Sequence, residues 1–165
     1  MTFDDIDDGA PVYLDTNILM YYFNRVSPDC VRLVGRCKRG EVYGLVSTVS
    51  ILELCHQAMC EEAGQTTRRP RVGPDYLKDR PEVVRRLTRY VTLVEDVILR
   101  YNLGVIEVSQ NDILRSRQVR DRYGLLTNDS ITAQILYDYG IPSIATHDDD
   151  FDSIAGIRVF KPSDI

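Results

Sequence analysis

Four acidic residues in this 165-residue chain are placed where carboxylates could work as one group: Asp15, Glu53, Asp129 and Asp148. Asp15 ends the apolar run Val12-Tyr13-Leu14, and Asp148 follows the apolar segment Ile141 to Thr146. Glu53 and Asp129 fall in the first turns of two expected helices. Gathered carboxylates repel one another and do not stay ionised together without compensation. A hard divalent cation supplies it, and Mg2+ or Mn2+ prefers oxygen ligands of this kind. Two such ions about 3.5–4 Å apart can activate a water and hold a phosphodiester for hydrolysis without a covalent nucleophile. The two histidines, His56 and His147, suggest no Ser-His or Cys-His pair.

Each acid also has a plainer explanation. Asp15 can finish a strand by bonding its own turn. Glu53 follows Ser50 by three residues, the spacing of a capping box. Asp129 can serve the positive end of a helix. Only the constellation points to chemistry. Other phosphate or cation sites are excluded more easily. Asp148 to Asp152 looks like a calcium loop, but Ser153 and Val159 occupy the positions where that loop needs Gly and Glu. The chain has no Gly-x-x-x-x-Gly-Lys-Ser/Thr loop and no Gly-x-Gly-x-x-Gly turn.

The elements that must position these acids can be read from periodicity and punctuation. An apolar run ending in Asp15-Thr16-Asn17 suits a buried strand that opens on a polar site. Ser27-Pro28 predicts a helix start, and Gly40 its stop. Val42 to Ser47 reads as a strand and Ser50 to about Glu62 as a helix. Residues 63–80 contain Gly64, Pro70, Gly73 and Pro74 and read as a basic loop or insertion. Glu82 to Tyr101 has helical spacing, and Val105 to Val108 is a short strand. Ser109 and Gly124 bound another helix, and Thr127 or Asn128 caps one that stops at Gly140. Ile141 to Thr146 and Arg158 to Phe160 complete the strands. The alternation predicts an α/β fold, a three-layer α/β/α sandwich with a mainly parallel central sheet. It forms one domain over residues 11–165, behind an acidic tail of residues 1–10. Ligands of such sheets sit beyond the carboxyl ends of the strands, where all four acids can meet.

A net charge of −5 argues against a nucleic-acid binder, but the charge is uneven. Arg68, Arg69, Arg71, Lys78, Arg80, Arg85, Arg86 and Arg89 form one basic group, and Arg115, Arg117, Arg120 and Arg122 another. They suit either a cationic rim around an anionic centre or solvated helix faces. Cys30, Cys37, Cys55 and Cys60 match no zinc spacing and read as free thiols. The acidic start lacks the pattern of a secretory signal, and no apolar run suits a membrane span, so the expectation is a cytoplasmic protein.

Four segments, in order, carry a resemblance: residues 12–19 (Val-Tyr-Leu-Asp-Thr-Asn-Ile-Leu), 47–54 (Ser-Thr-Val-Ser-Ile-Leu-Glu-Leu), 126–133 (Leu-Thr-Asn-Asp-Ser-Ile-Thr-Ala) and 144–152 (Ile-Ala-Thr-His-Asp-Asp-Asp-Phe-Asp). From Val12 onward the chain resembles the PIN domain, the nuclease fold shared by VapC-type toxins and several RNA-processing enzymes. The resemblance implies that Asp15, Glu53, Asp129 and Asp148 are catalytic. It implies Mg2+ or Mn2+ held by Asp15, Asp129, Asp148 and Asp150. Asn17 would hold the Asp15 turn or a water on the metal, and Thr146 would line the pocket. Asp149 and Asp152 fall to the surface. Asn128 departs from the commoner pattern, in which His or a small residue precedes the acid. RNA is the implied substrate, with Arg68, Arg69 and Arg71 as candidate contacts. A homodimer and a small antitoxin partner are further implications. The competing readings are a housekeeping RNA-processing nuclease and a non-catalytic RNA- or protein-binding domain.

Overall fold

The computed structural model describes residues 1–69 and 72–165, and Arg71 therefore lies outside the described residues. Five strands form one sheet in which every neighbouring pair is parallel. They are β1 (Pro11–Leu14), β2 (Tyr43–Ser47), β3 (Gly104–Ile106), β4 (Ser143–Ala145) and β5 (Arg158–Phe160), in spatial order β3-β2-β1-β4-β5. The helices are α1 (Thr16–Phe23), α2 (Pro28–Lys38), α3 (Thr48–Thr67), α4 (Pro74–Lys78), α5 (Pro81–Val84), α6 (Arg89–Leu99), α7 (Gln110–Tyr123) and α8 (Thr127–Asp138). After β1 the chain builds β2 and β3 on one side, then crosses to build β4 and β5 on the other. That reversal opens a crevice beyond the carboxyl ends of β1 and β4.

Strand alternation separates two cores. Val12, Leu14, Val46 and Ala145 face a core completed by α1, α2, α3 and α6. Tyr13, Leu45 and Ile144 face a second, completed by α7 and α8. The expected sandwich is present. Close packing at the base of the sheet needs Gly44, where a Cβ would lie 2.6 Å from Leu103 Cδ2 and 2.8 Å from Cys37 Sγ. All four cysteines are free, Cys30 and Cys37 being buried. No helix among the described residues is long and apolar enough to cross a membrane.

Three expectations need correction. The first ten residues are fastened down: Phe3 and Ile6 are buried, and Arg36 donates to the Phe3 and Ile6 carbonyls at 3.1 and 2.6 Å. Second, α3 runs on to Thr67, past the expected stop at Glu62. Beyond it only Pro74–Lys78 is helical among the described residues up to Arg80, and Ala63, Leu77 and Leu87 form a small third core. Third, the helix expected over 82–101 is two helices. The Glu62 carboxylate accepts the Thr88 and Arg89 backbone N–H groups at 2.9–3.0 Å and so starts α6 anew.

Candidate active site

Asp15 is the N-cap of α1, and its turn is closed by its own carboxylate, which accepts the Thr16 N–H at 2.7 Å. The other oxygen, Oδ2, accepts Thr146 Oγ1 at 2.6 Å and Asn17 Nδ2 at 2.7 Å. Asn17 Oδ1 in turn accepts the His147 N–H, and Thr146 Oγ1 accepts the Asp148 N–H at 3.0 Å. The ends of β1 and β4 are thus tied through Asn17 and the fully buried Thr146. Hydrogen bonds of this kind favour a charged carboxylate, yet Asp15 is pushed up to about 6. Burial is the main cause, and the charges of Glu53 and Asp129 add to it.

Glu53 does not close a capping box with Ser50. Ser47 is the N-cap of α3 and takes the Ser50 N–H at 3.2 Å, so Glu53 stands a turn deeper than expected. Its carboxylate accepts Gln57 Nε2 at 3.0 Å and, more loosely, Thr16 Oγ1 and Asn128 Nδ2 at 3.4 Å each. Asn128 is therefore a neighbour of the acidic group, a role that no motif announced. Asp129 lies in the first turn of α8. Burial pushes its carboxyl up, followed by the charges of Asp148, Asp150 and Glu53.

Asp148 caps the short 3-10 helix Asp149–Ser153 and accepts the Asp150 N–H at 2.9 Å. The acidic run divides here. Asp149 and Asp152 each pair with Lys161 at 2.6 Å, while Asp148 and Asp150 act on Asp129. Among the described residues, none of Asp15, Glu53, Asp129, Asp148 and Asp150 is in an ion pair. Nor do three His, Cys, Asp or Glu side chains close into a metal-holding group there. Asp15, Glu53, Asp129 and Asp148 are each partly exposed and form, with the exposed Asp150, one acidic basin. Their all-oxygen donors and unrelieved mutual repulsion still fit a hard divalent cation.

Among the described residues, no basic side chain pairs with these acids. Arg68, the C-cap of α3, is fifteen residues beyond Glu53, about 22 Å along the helix axis. Arg69 lies 4.7 Å over the Tyr76 ring. The second basic group is engaged by its own helices: Arg115 pairs with Asp138 at 2.7 Å, Arg117 with Asp121 at 3.5 Å, and Arg120 reaches Ser130 at 3.3 Å.

A family model described as the PIN domain matches residues 12–157. No curated protein matches the sequence. Among solved structures, the chain is similar to VapBC2 from Rickettsia felis bound to a DNA fragment from their promoter. That likeness has a TM-score of 0.57 at 14% identity and covers 92% of this chain and 98% of the other. A toxin-antitoxin complex from Klebsiella pneumoniae has a TM-score of 0.53 at 18% identity, with 93% and 99% covered. A Pyrobaculum aerophilum protein gives 0.52 at 12% identity, with 92% and 91% covered. The family match takes in all five basin acids and most of the length, and the chain belongs to the PIN domain family.

Proposed function

We propose that the protein is a metal-dependent endoribonuclease, the toxin of a VapBC-type toxin–antitoxin pair, acting in the cytoplasm. One observation carries the reading: the basin acids, brought together at the strand-order reversal, have no ionic partner among the described residues. Left uncompensated, such a cluster costs stability, so a degenerate binding domain has no reason to keep it. Asp15, Asp129, Asp148 and Asp150 are the groups that would hold Mg2+ or Mn2+. When bound, the cation supplies the positive charge that phosphodiester hydrolysis needs. Thr146 and Asn17 keep Asp15 in one orientation. Glu53, steadied by Gln57 and Asn128, accepts a proton from the attacking water.

Arg68 and Arg69 belong to this reading as distant contacts for a long RNA. The fold shared with VapBC2 and with the Klebsiella pneumoniae toxin-antitoxin complex supports an antitoxin as partner, and a homodimer is part of the same reading. A housekeeping RNA-processing nuclease is the alternative, favoured by the separately packed segment around Leu77 and Leu87. A small antitoxin gene beside this one would decide against it. The catalytic reading is tested by cleavage of a mixed RNA pool in Mn2+. Wild type should cut, and Asp15→Asn should lose activity about 10²–10³-fold while remaining folded. An inert wild type, or a mutant that cuts equally well, overturns it.

A further inference from the structure

Tyr21 and His147 stand together at the rim of the acidic basin. The Tyr21 hydroxyl and His147 Nδ1 share a hydrogen bond at 3.2 Å, and the rings meet edge to face at 63° with centroids 5.8 Å apart. They belong to the two segments that fix the basin. Tyr21 is on α1, which Asp15 caps, and His147 directly precedes Asp148. The His147 N–H is held at 3.2 Å by Asn17 Oδ1, and the same Asn17 amide donates to Asp15 at 2.7 Å. His147 is exposed and Tyr21 is half-buried, so the imidazole is braced from behind and open in front.

The surroundings give this pair a task. The basin acids have no ion pair among the described residues, and Arg68 is a helix length away. Of the cations nearer the acids, Lys161 is engaged by Asp149 and Asp152, and Arg120 by Ser116 and Ser130. Nucleobases of an unpaired strand can instead be held by their faces on aromatic rings, whatever their sequence. We propose that Tyr21 and His147 form a stacking platform that seats the base next to the scissile phosphate, selecting unpaired over duplex RNA. The imidazole takes the base, and Tyr21 fixes the imidazole. This rests on the ribonuclease reading of the basin.

The probe is a short RNA strand bearing the site cut in the mixed pool, bound in Ca2+ to prevent turnover, beside copies carrying one abasic ribose at successive positions. Wild type should bind one abasic copy more weakly than the intact strand. His147→Ala should bind the intact strand about 5- to 150-fold more weakly and lose that discrimination. His147→Phe, which keeps a ring, should restore both. If His147→Ala binds and discriminates like wild type, the platform is wrong and the nuclease reading stands. If His147→Phe fails as badly as His147→Ala with melting temperatures unchanged, the imidazole acts by hydrogen bonding and stacking is overturned. If wild type neither cuts nor binds RNA, both readings fall.

Discussion

Asp15 and Asp29 are both withdrawn from solvent at helix starts, and their surroundings treat them in opposite ways. Asp29, in the first turn of α2, accepts the Ser163 N–H and Oγ at 2.7 Å each and pairs with Arg32. Asp164 answers by accepting Ser27 Oγ at 2.6 Å and the Asp29 N–H at 2.8 Å. Those bonds, the Ser163 N–H first, hold the Asp29 carboxyl below its ordinary range. Asp15 has comparable hydrogen bonds and is pushed up to about 6. The count of bonds does not separate them. Asp29 is the less exposed of the two, so what separates them is the closer packing of protein around the Asp15 carboxyl and the sign of the nearest charges: Asp29 has Arg32, and Asp15 has Glu53 and Asp129. The clasp around Asp29 is complete within the chain, whereas the basin around Asp15 is electrostatically unfinished.

The sharpest test of that contrast lies within one acidic run. Asp148→Asn should reduce Mn2+-dependent RNA cleavage about 10²–10³-fold, as removal of a charge-stabilising group does. Asp149→Asn, which loses only its pairing with Lys161, should stay within about 2-fold of wild type. Equal losses would erase the distinction between basin and surface acids.

Stability should follow the reverse order. Asp29→Asn breaks a buried, charge-assisted cluster and should lower unfolding free energy by about 2–3 kcal/mol, read as a lower urea midpoint at pH 7. Asp15→Asn, measured in a chelator, should be neutral or stabilising because it removes a repelled charge. The pH dependence separates them further. Asp29 has a depressed folded value, so its contribution is present above the ordinary 3.8 and is lost as pH falls through that lower value. Asp15 has a raised one, so its contribution is full below 3.8 and is lost as pH rises towards about 6. Across that window chelated wild type should lose up to about 3 kcal/mol relative to Asp15→Asn. Parallel profiles would mean that the basin does not oppose the Asp15 charge.

Much of the basin was legible in the sequence because strand ends and helix starts are local features. Asp15 and Asp148 stand where apolar runs stop, and the structure puts both at the strand-order reversal. What could not be read depends on partners far along the chain. Ser47, at the end of β2, takes the cap that the Ser50 to Glu53 spacing had suggested. Asn128 reaches Glu53 across 75 residues. The break before α6 is made by Glu62, whose side chain replaces hydrogen bonds 26 residues away. The acidic opening hid two apolar anchors, Phe3 and Ile6, since average charge says nothing about which side chains turn inward.

The smallest effect is expected where the contrast passes from anions to cations. Arg69 and Arg80 both lie over the Tyr76 ring, at 4.7 and 4.1 Å, so part of their charge already serves the packing around Leu77. Arg68 is also about 22 Å along α3 from Glu53, too far to act on a strand that covers the basin alone. Replacing Arg68 and Arg69 together by Ala should leave cleavage of a short RNA within about 2-fold. Binding of a long RNA should weaken several-fold, with the log–log salt dependence flattened by about 1.4 if two phosphate contacts are lost. An unchanged salt slope would return both arginines to a solvated helix end. Loss of short-strand cleavage would show instead that the cationic end of α3 shapes the basin itself, and the contrast between the two regions would have to be redrawn.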